Sequence, residues 1–421
     1  MVVGANNMPL AAGTAEWRAR VVYALLFLFP LFGASLDHWL SGIFTVIFLM
    51  SLACLFTRPH SPLFVEERWL LYLVAIYFAT FLLSAFANGW TDIQTRYLGV
   101  EIRYLAAVPV YLMLRRFPDT VRWLLLGSLL AGVVLAAQAY CDVYVLNKIR
   151  AWGVYSPNLF GPFAALIAVW ALVVWQANSK VLGKVAWLLP LVFLLALAAV
   201  ILSGSRGAYV GMIAMLVVWV LISLRHWQRP GAILLLLLSV IGAYHSVDSI
   251  KERVDKAASE IETYLSIDYL EAYDGAVIGN VHRLEIWRTA ILIFKDAPVV
   301  GIGRGNYEHV ADEYVAKGLV HPMGAKAGHA HNAYLDVLAS RGIIGFVVFM
   351  AMLLYPLYYF YSTRRLSPFS AMLGLTHIIG FMTFSMTDAS TFIKGNFVSI
   401  FLLYLIAFFS WHVTKVREAQ K

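Results

Sequence analysis

Long apolar runs separated by short polar loops make up most of this chain. A helix needs about 20 apolar residues to cross a bilayer, and twelve runs approach that length. Their approximate bounds are residues 19–36, 38–57, 68–88, 98–115, 121–143, 159–177, 183–203, 207–224, 229–247, 342–361, 369–387 and 395–414. This pattern predicts an all-α, polytopic membrane protein with about twelve transmembrane helices.

Basic residues occur in every second loop between these runs. The basic loops carry Arg18 and Arg20, Arg58 and Arg68, Arg115, Arg116 and Arg122, Lys180 and Lys184, Arg225 and Arg229, Arg364 and Arg365, and Lys415, Arg417 and Lys421. Because short loops rich in lysine and arginine stay in the cytoplasm, we expect both termini to be cytoplasmic. The remaining loops then lie on the external side.

One external segment is much longer than the others. Residues 247–341 hold about half of the acidic residues, and apolar positions there recur at helical spacing. We expect helices near 250–265, 283–296 and 306–317. The chain thus divides into nine helices with short loops (1–246), a helical external loop (247–341) and three further helices with the C-terminus (342–421).

The composition excludes a soluble protein. Of the 421 residues, 61% are hydrophobic and only 13% are charged, and the mean hydropathy is +0.75. The net charge of +8 lies mostly in the loops that orient a membrane protein, so it does not point to nucleic acid. No cleavable signal peptide is evident before the first run.

Arg206 stands out among the external arginines. It lies in the short joint Ser203–Ala208 between two apolar runs, where a charge is costly unless it meets water or an anion. The other external arginines near the membrane are Arg96, Arg103, Arg283, Arg288, Arg304 and Arg341, and any one of them alone is typical of an interfacial anchor. Arg103 lies about one turn inside its helix, where it could pair with Glu101 or face a cavity.

Three histidines, His321, His329 and His331, precede the tenth run. The spacing of His329 and His331 suits a metal site poorly at a helix start, and the chain contains no Asp-x-Asp motif, so we predict no metal. His331 suits a general base, because imidazole titrates near physiological pH. Its ordinary structural interpretation is a cap for the helix Asn332–Ser340. The two roles are compatible, because a helix N-terminus keeps imidazole neutral.

Two other motifs have ordinary structural interpretations. The glycines of Pro298–Gly303 are too few for a phosphate-binding loop and predict a tight turn after a helix. Arg283 and Arg288, on that helix, are five residues apart and cannot point the same way. Pro157 in the segment Tyr155–Gly161 is typical of a helix start.

Together these motifs resemble a known family, the O-antigen ligase and polymerase superfamily. The resemblance covers about Leu188 to Leu354, and it rests on the order of motifs around one long external loop in a twelve-helix protein. The motifs are Ser205-Arg206-Gly207, Arg283-x-x-Ile286-Trp287, Pro298-x-x-Gly301-x-Gly303, His331-Asn332-Ala333-Tyr334-Leu335 and Gly342-Ile343-Ile344-Gly345-Phe346.

The resemblance implies a glycosyltransferase of GT-C-like fold in the bacterial inner membrane, with its active site facing the periplasm. Its donor would be a glycan on undecaprenyl pyrophosphate, its acceptor a sugar hydroxyl of lipid A–core, and membrane lipid its surroundings. Arg206 and Arg283, with Arg288 and Arg103 as further candidates, would bind the pyrophosphate. His331 would activate the acceptor, and no cofactor would be needed.

Electrostatics offers an independent reason for arginines in such a site. Loss of pyrophosphate develops negative charge on the leaving group. The external loops hold no paired acidic motif that could bind a divalent metal, and Asp37 is a single acidic residue in the first external loop. Arginine can supply the same stabilisation. A histidine base opposite the leaving group favours inversion at the anomeric carbon.

Three alternatives stay open. An O-antigen polymerase or a protein O-oligosaccharyltransferase of the same superfamily would use the same donor with another acceptor. A secondary transporter of an anionic solute is a different class, but transporters often contain inverted repeats, and none is visible here. The mid-helix polar residues His377 and Gln138 are more typical of helix–helix hydrogen bonds.

Overall fold

The computed structural model describes residues 12–36, 39–55, 62–177, 183–266 and 280–421, and within these ranges the chain contains helices and no β-strand. The helices before the long segment are α1 Ala12–Ser35, α2 Trp39–Leu55, α3 Val65–Ala87, α4 Asp92–Leu114, α5 Thr120–Tyr140, α6 Pro157–Gln176, α7 Leu189–Ser203, α8 Arg206–Ser223 and α9 Arg229–Ser246. Those that follow are α10 Asp248–Ser266, α11 Asn280–Asp296, α12 Tyr307–Ala316, α13 Pro322–Ala325, α14 Ala333–Thr363, α15 Pro368–Thr387, α16 Ser390–Ile393 and α17 Gly395–Ala419.

Each of the twelve predicted spans coincides with one of these helices. Among the described residues, eleven helices are long and apolar enough to cross a membrane, and α2 is a shorter apolar helix of 17 residues. The all-α, polytopic class is therefore confirmed. Expectations that concern Asp37, Arg58 and Lys180 lie outside the described residues.

The bundle is built around α6 and α17, which are the most buried of the spanning helices. Trp170 on α6 stacks on Tyr404 of α17 with ring centroids 4.5 Å apart, and the Tyr404 hydroxyl hydrogen-bonds to Ser128 on α5. By contrast, α9 buries none of its side chains and lies at the edge of the bundle. The central position of α6 matters because its first turn borders the site described below.

The long segment forms α10 to α13, and its described part has a small apolar core of its own. Ile286, Ala290 and Ile293 on α11 pack with Tyr307 and Ala311 on α12. The helices expected near 250–265, 283–296 and 306–317 correspond to α10, α11 and α12.

A tight turn follows α11 and binds the segment to the membrane helices. Ile302 and Gly303 donate backbone hydrogen bonds to Ala339 and Ser340 at 3.0 and 3.1 Å, and Ile343 donates to Pro298 at 2.8 Å. Gly342 breaks α14 here with φ 61° and ψ −164°, a conformation open essentially only to glycine. These glycines therefore shape a turn, as expected from the sequence.

Four charged side chains are buried beneath this turn. Arg341 on α14 pairs with Glu101 on α4 at 2.5 Å, and Arg304 lies 3.7 Å from Glu101 and 3.4 Å from Asp336. All four are at most 7% exposed. The suggested pairing of Arg103 with Glu101 is wrong, because Arg341 and Arg304 reach that carboxylate while Arg103 donates to the Gly99 carbonyl one turn back on α4.

Candidate active site

The joint between α7 and α8 places Arg206 at the start of a helix. Gly204 ends α7 in the left-handed conformation, with φ 57°. The Ser205 side chain then caps α8 by accepting a hydrogen bond from the Ala208 amide. Arg206 is consequently the first helical residue of α8, where the helix N-terminus favours a nearby anion.

Arg206 borders a cavity of about 190 Å³ between α6, α8, α11 and α15. Arg283, near the start of α11, and Arg150, just before α6, line the same cavity. The chain thus brings three guanidinium groups from distant parts of the sequence to one small volume. Such a group of arginines can bind a phosphate or pyrophosphate through several charge-assisted hydrogen bonds.

His331 lies in the loop that leads into α14, and the cap of that helix is its neighbour. Asn332 accepts hydrogen bonds from the Tyr334 and Leu335 amides at 3.0 and 3.2 Å. The interpretation of His331 as the cap is therefore wrong. His331 instead adopts a left-handed backbone, with φ 48°, and its ring centroid lies 4.2 Å from that of His329.

Asp388, directly after α15, connects the histidines to the arginine-lined cavity, to which it also contributes. Its Oδ1 lies 3.8 Å from His331 Nδ1 and 4.0 Å from His329 Nε2. Its carboxylate accepts hydrogen bonds from the Ser390 amide at 2.8 Å and from the Asn158 side chain at 3.0 Å. Within the described residues, His331 Nδ1 and His329 Nε2 are buried without a hydrogen-bond partner.

The surroundings of these groups keep the carboxylate charged and favour a neutral His329 imidazole. Burial acts to raise the pKa of Asp388, but the nearby His331 and the hydrogen bonds with Ser390 outweigh it, so the pKa lies below its ordinary value. Burial lowers the pKa of His329. A charged carboxylate beside an imidazole can orient the ring and stabilise its protonated form.

The same three side chains have the composition of a metal site. One ligand atom each from His329, His331 and Asp388 lie within 4.8 Å of one another. Two imidazoles and a carboxylate are ligands that Zn²⁺ accepts. The absence of a metal therefore stays a prediction, and it needs an experiment.

The other candidates lie elsewhere. Arg288 is not among the residues that line the cavity, and it lies 3.7 Å from Glu285 on its own helix. Arg103 is not among the residues that line the cavity either. His321 donates its backbone amide to Glu285 at 2.8 Å, in the long segment.

Sequence reasoning missed Arg150, Asn158 and Asp388. Arg150 and Asp388 had a signal, because each is a charged residue in an external loop next to a spanning run. Asn158 had none, since a polar residue beside Pro157 is ordinary at a helix start. Its hydrogen bond to Asp388 and its place in the cavity wall show that it belongs to the site.

Comparisons with known proteins address the same region. A family model described as O-antigen ligase matches residues 191–350, a segment that contains Arg206, Arg283 and His331. This match supports membership of the O-antigen ligase superfamily. Members of this superfamily are glycosyltransferase-like membrane enzymes. Arg150, Asn158 and Asp388 lie outside the matched segment.

A relative from Haemophilus influenzae extends the similarity beyond that segment. It is 26% identical over 353 residues, which cover 80% of this chain and 84% of the relative. Its name is only "Uncharacterized protein", so it adds no substrate.

Proposed function

We propose that this chain is an O-antigen ligase, which transfers a polysaccharide from undecaprenyl pyrophosphate to a sugar hydroxyl of lipid A–core. The observation that carries the proposal is the meeting of Arg150, Arg206 and Arg283 around one cavity whose wall also holds Asp388, the neighbour of His331. This arrangement supports an anion site next to a potential base.

On the donor side, the arginines would hold the pyrophosphate. The bond between the anomeric carbon and the pyrophosphate oxygen breaks with its electron pair, and the leaving group gains negative charge. Three guanidinium groups positioned in advance stabilise that charge more in the transition state than in the bound donor. In this proposal Arg206 and Arg283 are the principal ligands, Arg150 is a third, and Arg288 and Arg103 have no direct role.

On the acceptor side, His331 would take the proton of the attacking hydroxyl. Nδ1 of His331 faces Asp388 and would carry the hydrogen of the neutral ring. The lone pair of Nε2 would then accept the proton of the hydroxyl. The separation of 3.8 Å exceeds a hydrogen bond, and such contacts often tighten when substrate binds. Attack from the side opposite the leaving group would invert the anomeric carbon, and the reaction would need no metal.

The proposal includes an orientation in the membrane. The basic loops would face the cytoplasm of a bacterial inner membrane, with both termini, and the arginine-lined cavity would face the periplasm. The lipid of the donor would reach the cavity from the outer leaflet, and α11 would cover it from the side of the long segment.

The experiment is to delete the gene and extract lipopolysaccharide and lipid-linked glycan from the strain. A ligase predicts lipid A–core without polymer and full-length polymer accumulating on the carrier lipid, both restored by the wild-type gene but not by the Arg206→Ala variant. Short glycan on the carrier would establish a polymerase instead. Normal lipopolysaccharide with loss of a protein-linked glycan would establish a protein O-oligosaccharyltransferase.

A transporter is less well supported by the structure. The mid-helix His377 on α15 hydrogen-bonds to the Phe401 carbonyl of α17 at 3.0 Å, so it joins two helices. The charged groups around the cavity lie at helix ends, away from the bilayer midplane where transporters bind their solutes.

A further inference from the structure

A second, larger cleft lies at the opposite ends of the helices that carry the site. It has a volume of about 870 Å³ and is bordered by the C-terminal part of α8, the C-terminal part of α14 and the first half of α15. Along α8, Leu221 in this cleft lies about 22 Å from Arg206. The cleft is thus separate from the arginine–histidine site, and its volume is typical of a ligand site.

The walls of the cleft are apolar and its rim is basic. Leu221, Leu354 and Leu357 are among the wall residues. The rim holds three arginines, Arg229, Arg364 and Arg365, together with Tyr358 and Tyr361. No acidic residue occurs among the described residues that line it.

The three arginines differ from others at the same end of the bundle. Arg115 and Arg417 are neutralised by Glu67 and Glu66, at 2.7 and 2.5 Å. In the described part of the chain, no carboxylate pairs with Arg229, Arg364 or Arg365. Arg229 donates from Nε to the Leu224 carbonyl at 3.2 Å. Arg364 donates from Nη1 to Tyr361, over whose ring it also stacks. Each guanidinium therefore keeps donors that could bind an anion.

We propose that this cleft binds an anionic phospholipid of the leaflet opposite the active site, with its phosphate on Arg229, Arg364 and Arg365. The acyl chains would lie against the leucine walls between α8 and α14. A soluble anion would use the arginines but not the apolar walls, and a zwitterionic lipid would fill the walls but leave the rim charge uncompensated. Basic pockets between membrane helices are known to select anionic head groups in this way. The proposal is independent of the reaction at the other end.

The test is native mass spectrometry of the full chain, purified in mild detergent and offered equal amounts of phosphatidylglycerol and phosphatidylethanolamine. Three variants remove the rim charge together: Arg229→Gln, Arg364→Gln and Arg365→Gln. A control triple variant, Arg18→Gln, Arg68→Gln and Arg122→Gln, removes the same charge from the N-terminal parts of α1, α3 and α5, outside the cleft. We expect wild type and control to retain phosphatidylglycerol, and the rim variant to bind it at least about tenfold more weakly.

A second pair of variants tests the walls. Leu221→Trp fills the cleft and should displace the lipid, whereas Leu234→Trp on the exposed face of α9, outside the cleft, should not. Equal retention of both lipids, equal loss in the control triple, or displacement by inorganic phosphate alone would overturn the proposal. Thermal melting of each variant separates lost binding from lost folding.

Discussion

Arg206 lies where α8 begins, on a cavity that it shares with Arg150 and Arg283. We predict that Arg206→Ala lowers transfer by at least about 100-fold, as is typical when a donor to a developing anion is removed. Arg206→Lys should also be impaired, because an ammonium cannot make two parallel hydrogen bonds to phosphate. The measurement is glycan transfer by purified protein.

The matched control is Arg96→Ala, which removes another external arginine from an exposed position that does not line the cavity. It should transfer glycan at nearly the wild-type rate. Full activity in Arg206→Ala, or equal damage in Arg96→Ala, would contradict the assigned role.

His331 and Asp388 should act as one unit. A positioned base contributes about 100- to 10,000-fold, so His331→Ala should lose most activity and still bind donor. Asp388→Asn should lower the transfer rate less. The double variant should be only slightly slower than His331→Ala alone, because effects within one catalytic unit are not additive. Single-turnover rates and donor binding measure the two parts separately.

The pH dependence assigns the proton. Since the pKa of Asp388 lies below its ordinary value, its carboxylate stays charged over the range where imidazole titrates, and an acidic loss of rate reports a histidine. His329→Ala should be damaged less than His331→Ala, although His329 Nε2 also lies 4.0 Å from Asp388. A greater loss in His329→Ala would transfer the role of base to that residue.

At the scale of elements, the kink in α14 fixes the turn after α11 on the membrane helices. Gly342 has φ 61° and its Cα faces the Val299 backbone. We expect Gly342→Ala to destabilise the protein by about 1–3 kcal/mol or more, measured as a lower melting temperature in detergent. Gly99→Ala on α4, where a methyl group meets open space, should change little.

The buried charges below that kink join three elements. Removing one partner of a buried ion pair leaves the other charge uncompensated. Glu101→Gln leaves the charge of Arg341 without its partner and should lower the free energy of unfolding by about 3–5 kcal/mol. Glu418→Gln breaks the exposed pair with Lys415 and should cost about 1 kcal/mol or less. Equal melting temperatures for the two variants would show that the buried pair contributes no more than the exposed one.

The buried charges also contact the loop before α14 that carries His329 and His331. Asp336 pairs with Arg304 and accepts a hydrogen bond from the Ala330 amide at 3.3 Å, between the two histidines. The position of the loop therefore depends on contacts made by the turn after α11.

At the scale of the whole molecule, the choice between arginine and metal catalysis can be tested directly. We expect transfer to continue after EDTA treatment, because three arginines already neutralise the leaving group in the proposed reaction. Loss of activity with EDTA and recovery with a divalent ion would instead assign His329, His331 and Asp388 to a metal. The assay is glycan transfer by dialysed enzyme.

The sequence by itself determined the class of the molecule, its twelve apolar helices and the helices of the long segment, because these follow from local periodicity and length. It also indicated Arg206, whose charge is unusual between two apolar runs, and the family resemblance of its motifs added Arg283. It could not decide which charges meet. Glu101 lies two residues from Arg103 in sequence, but helical geometry turns it towards Arg341 of a distant helix.

Only the tertiary structure assembled the site. Arg150 lies in the loop before α6, Asn158 in the first turn of α6 and Asp388 directly after α15. Packing of these two helices against α8 brings all three residues to the cavity of Arg206. Such contacts between residues far apart in sequence depend on how helices pack, and no local pattern encodes them. The same packing left a basic cleft at the other end of the bundle, which the charge of its loops alone did not reveal.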